Sequence, residues 1–341
     1  MLPLSPRLSP PIEAAGLLFQ SPHCIPHVSP TLADIRAAAL RIANTAERTP
    51  VHTSRSLDEL TGASVFCKCE NFQKGGAYKF RGALNAVRQL TDEQARCGVV
   101  THSSGNHATC LSLAARERGI PAYIVVPRNS PQIKQRAIAA FGGRLTLCEP
   151  NLAARTAEAE RIQRVTGATF IHPYDNPSVI AGQATLALEM FEQVPQLEVL
   201  VAPVSGGGLL SGLCLAAHGL APNTEVWGAE PALADDAFRS LQEGKLLVNH
   251  DSTTIADGLR ASLSERTFGI IRQHVRGIVT VSEEQIIAAM RLVWERMKLV
   301  VEPSGVVSLA AVLAAPEKFR GRRVGVIFTG GNVDLERLPW Q

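Results

Sequence analysis

The sequence predicts an α/β protein built from mostly parallel sheets flanked by helices. Two observations carry this. From about residue 31 onward, apolar β-branched runs alternate with helical patterns. Several runs, among them Val199-Leu200-Val201-Ala202 and Val324-Gly325-Val326-Ile327-Phe328, show no alternation of polar and apolar residues. Such strands are covered on both faces, as in parallel sheets packed between helices. Repetition of strand, helix and strand then implies right-handed crossovers.

Taken in order, strands are expected over 64–69, 98–101, 122–126, 144–148, 169–171, 199–203, 226–230, 277–281 and 324–328. The intervening helices follow from their stop signals. The Ala- and Leu-rich run 106–118 ends at Gly119, with Pro121 beyond. The run 132–140 ends before Gly142-Gly143, and 153–165 before Gly167. Glycine after a helix and proline shortly past it are ordinary terminators. The run 286–297 is long and amphipathic, and 209–217 opens a helix directly after a strand.

A chain of 341 residues buries a large core and is expected to divide into two domains. It carries +3 net charge with both signs interspersed and no dense Lys/Arg run, which argues against a nucleic-acid partner. No apolar stretch reaches the about 20 residues of a membrane span. Seven cysteines, an odd number at irregular spacing, read as buried thiols of a reducing, cytoplasmic compartment rather than as a disulfide framework. Residues 1–30 are rich in proline and serine, and lack the charged start and continuous apolar stretch of a secretory signal. A disordered extension is expected there. The scarcity of acidic residues before Asp34 leaves a transit peptide as the alternative. The short segment after Asn332 leaves no room for a further C-terminal domain.

The chemistry concentrates in four segments. In Lys74-Gly75-Gly76-Ala77-Tyr78-Lys79-Phe80, a lysine flanked by aromatics follows a glycine pair at an expected helix start. Desolvation there lowers an amine's pKa and makes it nucleophilic, so Lys79 suits a Schiff base with a flat aldehyde, and Tyr78 suits a ring. Ser205-Gly206-Gly207-Gly208 links a strand to a helix, where main-chain amides converge on an anion such as a phosphate. A triple glycine is a weak signal by itself. No lysine follows it, which argues against a nucleotide P-loop. Ser103-Ser104-Gly105-Asn106-His107 opens another helix, suited to a substrate carboxylate. Thr329-Gly330-Gly331-Asn332 ends the last strand.

On these segments the chain resembles the serine racemase and serine/threonine dehydratase family of pyridoxal-phosphate (PLP) enzymes, of fold type II. The likeness runs from about residue 31 to 336. It includes Gly119-Ile120-Pro121-Ala122-Tyr123, Val179-Ile180-Ala181-Gly182-Gln183, Thr254-Ile255-Ala256-Asp257-Gly258 and Leu292-Val293-Trp294-Glu295-Arg296-Met297-Lys298. The resemblance implies that Lys79 holds PLP and moves the substrate's α-proton. It implies that Tyr78 packs on the pyridine ring and that Asn106 bonds the cofactor's 3-hydroxyl. Gly206, Gly207, Gly208 and Leu209 would cradle the phosphate, and Thr329 would meet the pyridine nitrogen. Ser103, Asn106 and His107 would bind the substrate carboxylate. Ser104 would act as a second base on the face opposite Lys79. Glu230, the Ala234 carbonyl and Asp236 would hold Mg²⁺ or Ca²⁺. The implied division is a large domain over 31–91 and 176–341 and a small mobile one over 92–175, in a homodimer.

Departures from the family pattern matter as well. Lys74-Gly75-Gly76-Ala77 replaces a run that usually carries two hydroxyls, so the substrate pocket differs. Tyr174 stands where animal racemases have Asn. Arg155 matches an arginine near the racemases' substrate entrance; it serves a second carboxylate, as in 3-hydroxyaspartate, or is a helix surface charge. The implied activity is elimination of ammonia from a β-hydroxy amino acid such as L-serine, L-threonine or 3-hydroxyaspartate. The alternative is an amino-acid racemase with side dehydratase activity.

Overall fold

The structure, a computed structural model, describes residues 29–248 and 252–341. The extension expected over 1–30 lies, but for its last two residues, outside them. Ten strands form among the described residues: β1 (Val51–His52), β2 (Ser64–Cys69), β3 (Val99–His102), β4 (Ala122–Pro127), β5 (Gly143–Cys148), β6 (Thr169–Phe170), β7 (Val199–Pro203), β8 (Glu225–Pro231), β9 (Gly277–Val281) and β10 (Arg323–Phe328). They make two sheets. The larger has the order β1-β2-β10-β7-β8-β9 and is parallel except for the short edge pair β1 and β2. The smaller, β5-β4-β3-β6, is parallel throughout.

The missing alternation has a direct cause. In β7, Val199 and Val201 enter one core, while Leu200 and Ala202 enter another. The first core packs the larger sheet against the helices Glu283–Leu292 and Pro303–Ala314; the second packs it against Leu32–Ile42, Pro177–Gln193 and Gly208–Leu220. Strand β4 repeats the arrangement in the smaller sheet, with Ile124 and Val126 on one side and Val125 on the other. With both faces covered, an apolar side chain is favoured at every position. The α/β architecture is therefore the expected one.

The helices Asn106–Arg118 and Gln132–Ala140 have the expected bounds. The run 286–297 does not form one α-helix. It starts earlier, at Glu283, because Ser282 and Gln285 make a capping box. It ends at Leu292, and Val293–Met297 is a π-helical turn in which the Trp294 indole donates to the Val301 carbonyl at 3.1 Å. The turn stops at Lys298, whose φ of +59° is a left-handed cap made without glycine.

The helix Lys79–Arg88 is fixed from beneath by a buried ionic network. Arg81, 1% exposed, pairs with Glu70 and Glu189 at 2.7 Å each, and Lys68 pairs with Glu189 at 2.6 Å. Glu70 also accepts from Thr49 at 2.5 Å. Two cations and two carboxylates thus tie β2 and the helix Pro177–Gln193 to the helix that begins at Lys79. The ends of β3, β7 and β10 lead into the Ser103, Ser205 and Thr329 segments, so the sequence-singled loops emerge from carboxyl ends of parallel strands, where α/β folds build sites.

Candidate active site

Lys79 opens its helix. The preceding Tyr78 amide donates to the Thr329 carbonyl at 3.0 Å, and Ala77 makes an antiparallel bridge with Gly330. The Lys79 ammonium donates to the Pro173 carbonyl at 2.8 Å and lies 5.1 Å from the Tyr78 ring centroid. Burial lowers its pKa to about 8. The amine thus meets a carbonyl and an aromatic face instead of a carboxylate.

Ser205–Gly208 connects β7 to the helix Gly208–Leu220. Gly207 has φ +83°, and a Cβ there would come within 2.6 Å of Leu263 and 2.8 Å of Thr267. A Cβ on Gly206 would strike the Tyr174 ring at 2.3 Å, and one on Gly208 would meet the Tyr174 backbone at 2.9 Å. Ser205 braces the loop by exchanging two 3.0 Å hydrogen bonds with the Ala261 main chain. Leu209 is buried in the helix's first turn. Tyr174, noted in the sequence only as a departure, lies against the glycine loop.

Ser103, Ser104 and Gly105 precede the helix Asn106–Arg118. The Ser103 hydroxyl accepts from the Gly105 amide at 3.4 Å. A Cβ on Gly105 would meet nothing within 4 Å, so this helix start faces open space. His107 is turned inward: its Nε2 lies 3.1 Å from the Ile171 carbonyl, and its Nδ1 is buried without a partner among the described residues. A carbonyl only accepts, so Nε2 carries the proton. Burial, then the Lys79 charge, depresses its pKa to about 3. Asn106 is not a free side chain. Its amide donates to Glu302 at 2.7 Å and accepts from Asn332 at 2.9 Å. Thr329, 4% exposed, places its hydroxyl 3.4 Å from the Ser304 carbonyl.

Arg155 is not a plain surface charge. Its guanidinium donates to the His102 carbonyl at 3.1 Å, and its Nε is buried without a partner among the described residues. His102 stacks on Phe170 at 5.2 Å and faces His172 edge-on at 6.1 Å. His172 in turn meets Tyr174 edge-on at 4.5 Å. The His172 Nδ1 accepts main-chain N–H bonds from Tyr174 and Asp175, and burial lowers its pKa to about 4. Burial, then Arg155, also lowers His102. The imidazoles therefore stay neutral at neutral pH, and, besides Arg266, which pairs with Asp175 at 2.6 Å, Lys79 and Arg155 are the cations of this region. Neither makes a salt bridge with a carboxylate among the described residues.

Glu230 ends β8 fully buried, accepting from the Ala237 and Phe238 amides at 3.1 and 2.8 Å. Burial, with Asp236 adding to it, pushes its pKa well above the usual carboxylate range; Asp236 is raised to about 6, chiefly by burial. Ala234 is buried beside them in sequence. The described residues contain no cluster of three or more His, Cys, Asp or Glu close enough to bind a metal by themselves. Two buried carboxylates that disfavour each other's ionisation, with one carbonyl, are hard oxygen donors that water would have to complete.

The sequence did not single out Glu302, His102 or His172. Their one local signal is Glu302-Pro303, a residue before a helix-opening proline. Six cysteines among the described residues are free thiols, and no helix there is long and apolar enough to cross a membrane.

The family model described as "Pyridoxal-phosphate dependent enzyme" matches residues 42–330. A β-hydroxyaspartate dehydratase of Paracoccus denitrificans is 51% identical over 311 residues, covering 91% of this chain and 99% of that protein. The solved maize serine racemase is 43% identical with a TM-score of 0.88, covering 91% of this chain and 95% of its own. A solved pyridoxal 5'-phosphate-dependent aspartate racemase is 36% identical with a TM-score of 0.87, covering 93% of this chain and 100% of its own. On a match spanning most of its length, this chain belongs to the pyridoxal-phosphate-dependent enzymes of fold type II, in the serine racemase and threonine dehydratase group.

Proposed function

We propose that the chain is an ammonia-lyase for β-hydroxy amino acids that carry a second carboxylate, of the 3-hydroxyaspartate type, with L-serine and L-threonine as smaller substrates. The observation that carries this is Arg155, a half-buried cation with no carboxylate partner among the described residues, set beside the helix start at Ser103–Asn106. A pocket that holds a cation uncompensated favours an anionic ligand over a neutral one. Two of the relatives, a β-hydroxyaspartate dehydratase and an aspartate racemase, are named for dicarboxylic amino acids.

The residues fit PLP. Lys79 is an amine of lowered pKa, the glycine loop opens a thirteen-residue helix, and the space over Gly105 is open. In this reading Lys79, Tyr78, Asn106, Gly206, Gly207, Gly208, Leu209 and Thr329 hold the cofactor. When bound, PLP supplies the electron sink that acidifies the substrate's α-carbon. Ser103, Asn106 and the His107 amide take the α-carboxylate at a helix N-terminus. Arg155 takes the second carboxylate. Lys79, as the neutral amine, takes the α-proton. The β-hydroxyl departs as water, and hydrolysis of the released enamine consumes a water. The net reaction converts 3-hydroxyaspartate to oxaloacetate and ammonia. Glu230, the Ala234 carbonyl and Asp236 hold Mg²⁺ or Ca²⁺, which offsets their buried charge away from the chemistry. Residues 92–175 are the small domain that closes on 31–91 and 176–341, with Lys134 reaching across to Asp257. The free thiols suit a reducing, cytoplasmic compartment, and in this reading the enzyme works as a homodimer, as the family resemblance implies.

A racemase is the second reading, and one observation favours it: the Ser104 hydroxyl makes no hydrogen bond among the described residues, so it is available to deliver a proton. One experiment separates the two. Holoprotein with Mg²⁺ is given threo-3-hydroxyaspartate or L-serine, and 2-oxo acid, ammonia and the D-enantiomer are quantified. The proposal expects 2-oxo acid to dominate, with the higher kcat/KM on the dicarboxylate. D-serine dominating, and lost in Ser104→Ala with elimination spared, would replace it with the racemase. Turnover of neither substrate sinks both readings.

A further inference from the structure

We propose that Glu302 and Asn332 are positioning residues that lock the Asn106 side-chain amide in one orientation, leaving one of its N–H groups uncommitted. This deepens the reading above and rests on Asn106 serving cofactor and substrate. The three residues are far apart in sequence and meet only through the fold. The Asn332 amide nitrogen donates to the Gly75 carbonyl at 2.8 Å and to the Asn106 side-chain oxygen at 2.9 Å. The Asn106 amide nitrogen donates to Glu302 at 2.7 Å.

The polarity of this chain follows from its first member. A main-chain carbonyl only accepts, so Asn332 must turn its NH₂ toward Gly75. Both Asn332 protons are then spent, one on Gly75 and one on Asn106. Asn106 must therefore present its oxygen to Asn332 and its nitrogen to Glu302. A lone asparagine amide flips with little steric penalty, because oxygen and nitrogen are nearly isosteric. In the reading above the free side-chain N–H serves the cofactor's 3-hydroxyl oxygen and the Asn106 main-chain N–H the carboxylate, so a flipped Asn106 would turn its own oxygen toward the cofactor's.

Both ends of the clamp are rigidly held. Glu302 donates its main-chain N–H to the Gly330 carbonyl at 3.1 Å, and its own carbonyl accepts from Gly305 at 2.9 Å. A Cβ on Gly330 would lie 2.4 Å from the Glu302 carboxylate, and one on Gly76 would lie 2.4 Å from the Asn332 side-chain oxygen. Gly75 and Gly76 have φ of +70° and +71°, a conformation that favours glycine. Gly75, which stands in place of a hydroxyl residue usual in the family, thus supplies its main-chain carbonyl to Asn332. Burial, then Asp257, raises the Glu302 pKa to about 8, with the Asn106 and Asn332 N–H groups acting against it. Protonated or not, Glu302 keeps an oxygen able to accept from Asn106.

The test is a double-mutant cycle read in two ways: the dissociation constant of PLP from the apoprotein, and kcat/KM of the holoenzyme. Glu302→Ala and Asn332→Asp are each expected to weaken PLP binding and lower kcat/KM by about 10- to 100-fold, the scale of a small misplacement of a site group. Glu302→Gln keeps an acceptor oxygen and is expected to stay within about threefold of wild type, about 0.65 kcal/mol. In an Asn106→Ala background, Glu302→Ala should add nothing further. Glu302→Gln as damaging as Glu302→Ala overturns the clamp, because the charge would then matter and not the acceptor. Glu302→Ala costing the same with and without Asn106 also overturns the clamp alone. Asn106→Ala with PLP binding and kcat/KM unchanged overturns the site reading and the clamp together. Should Glu302→Ala fail to fold, Asn332→Asp carries the same cycle, with the same outcomes deciding.

Discussion

Arg155→Met is the sharpest test of substrate class. Methionine keeps most of the stem and removes the charge. In the free protein the guanidinium is half-buried, with one main-chain acceptor at 3.1 Å and a buried Nε without a partner among the described residues. A carboxylate at about 4 Å would gain roughly 4 kcal/mol of Coulomb energy at an effective dielectric of 20, before desolvation is subtracted. Hydrogen bonds to charged groups leave a net of about 1.5–3 kcal/mol. That is about 10- to 150-fold in kcat/KM, at tenfold per about 1.4 kcal/mol. The loss belongs to 3-hydroxyaspartate; L-serine has no second carboxylate and should change by less than about threefold, under 1 kcal/mol. Thermal unfolding of the unliganded variant should not fall, because a desolvated cation without a carboxylate partner adds nothing to stability. Steady-state kinetics on both substrates, with one melting curve, decide the matter. Equal losses on the two substrates would show that Arg155 shapes the site generally, and would refute the second-carboxylate argument.

Other consequences follow from the same geometry. In the proposed reading the neutral amine of Lys79 is the nucleophile, so covalent capture of PLP by apoprotein should rise with pH around about 8 rather than near the ordinary lysine value of 10.5, and Lys79→Ala should retain no borohydride-fixed adduct; a rate still climbing past pH 10 contradicts the burial argument. Arg81→Met strands Glu70, which is fully buried, and half of Glu189's partners, so urea unfolding should show a loss of about 3–5 kcal/mol; a loss under about 1 kcal/mol would mean the network is not what holds the Lys79 helix. Chelation should lower the melting temperature of wild type but not of Glu230→Gln, and indifference of wild type to chelator and to added Mg²⁺ removes the metal proposal.

Much of the fold is legible because it rests on local rules. The unalternating runs are parallel strands, since Val199 and Leu200 face different cores and both cores are apolar. Gly119 and Gly142 mark helix ends where their positive φ is needed. The π-helical turn after Leu292 is not legible, because its left-handed cap is Lys298, at φ +59°, and no glycine marks the place. In the site, the lysine and glycine segments are visible as short motifs with the right neighbours. Glu302 and the pair His102 and His172 are not visible, because each acts through partners up to about 200 residues away and carries no distinctive spacing. Arg155 shows the boundary between the two cases. Its sequence setting is that of an exposed first-turn helix residue, and packing beside His102 alone makes it a half-buried cation.

In the proposed reading the distribution of charge follows a single constraint, that an anionic substrate must meet cations and no carboxylates. Lys79 and Arg155 face the region, and three histidines there are kept neutral by burial. Several carboxylates around it are engaged by a hydrogen-bond donor. Glu302 stands behind the Asn106 amide, Asp175 is paired with Arg266 at 2.6 Å, and Glu70 and Glu189 are spent on Arg81 and Lys68 beneath the helix. A bare carboxylate about 4 Å from a substrate carboxylate would cost roughly 4 kcal/mol at an effective dielectric of 20, enough to cancel the whole contribution argued for Arg155. The Asn106 clamp therefore does two things with one contact. It orients a donor toward the site, and it keeps a buried acid from acting on the ligand that the donor binds.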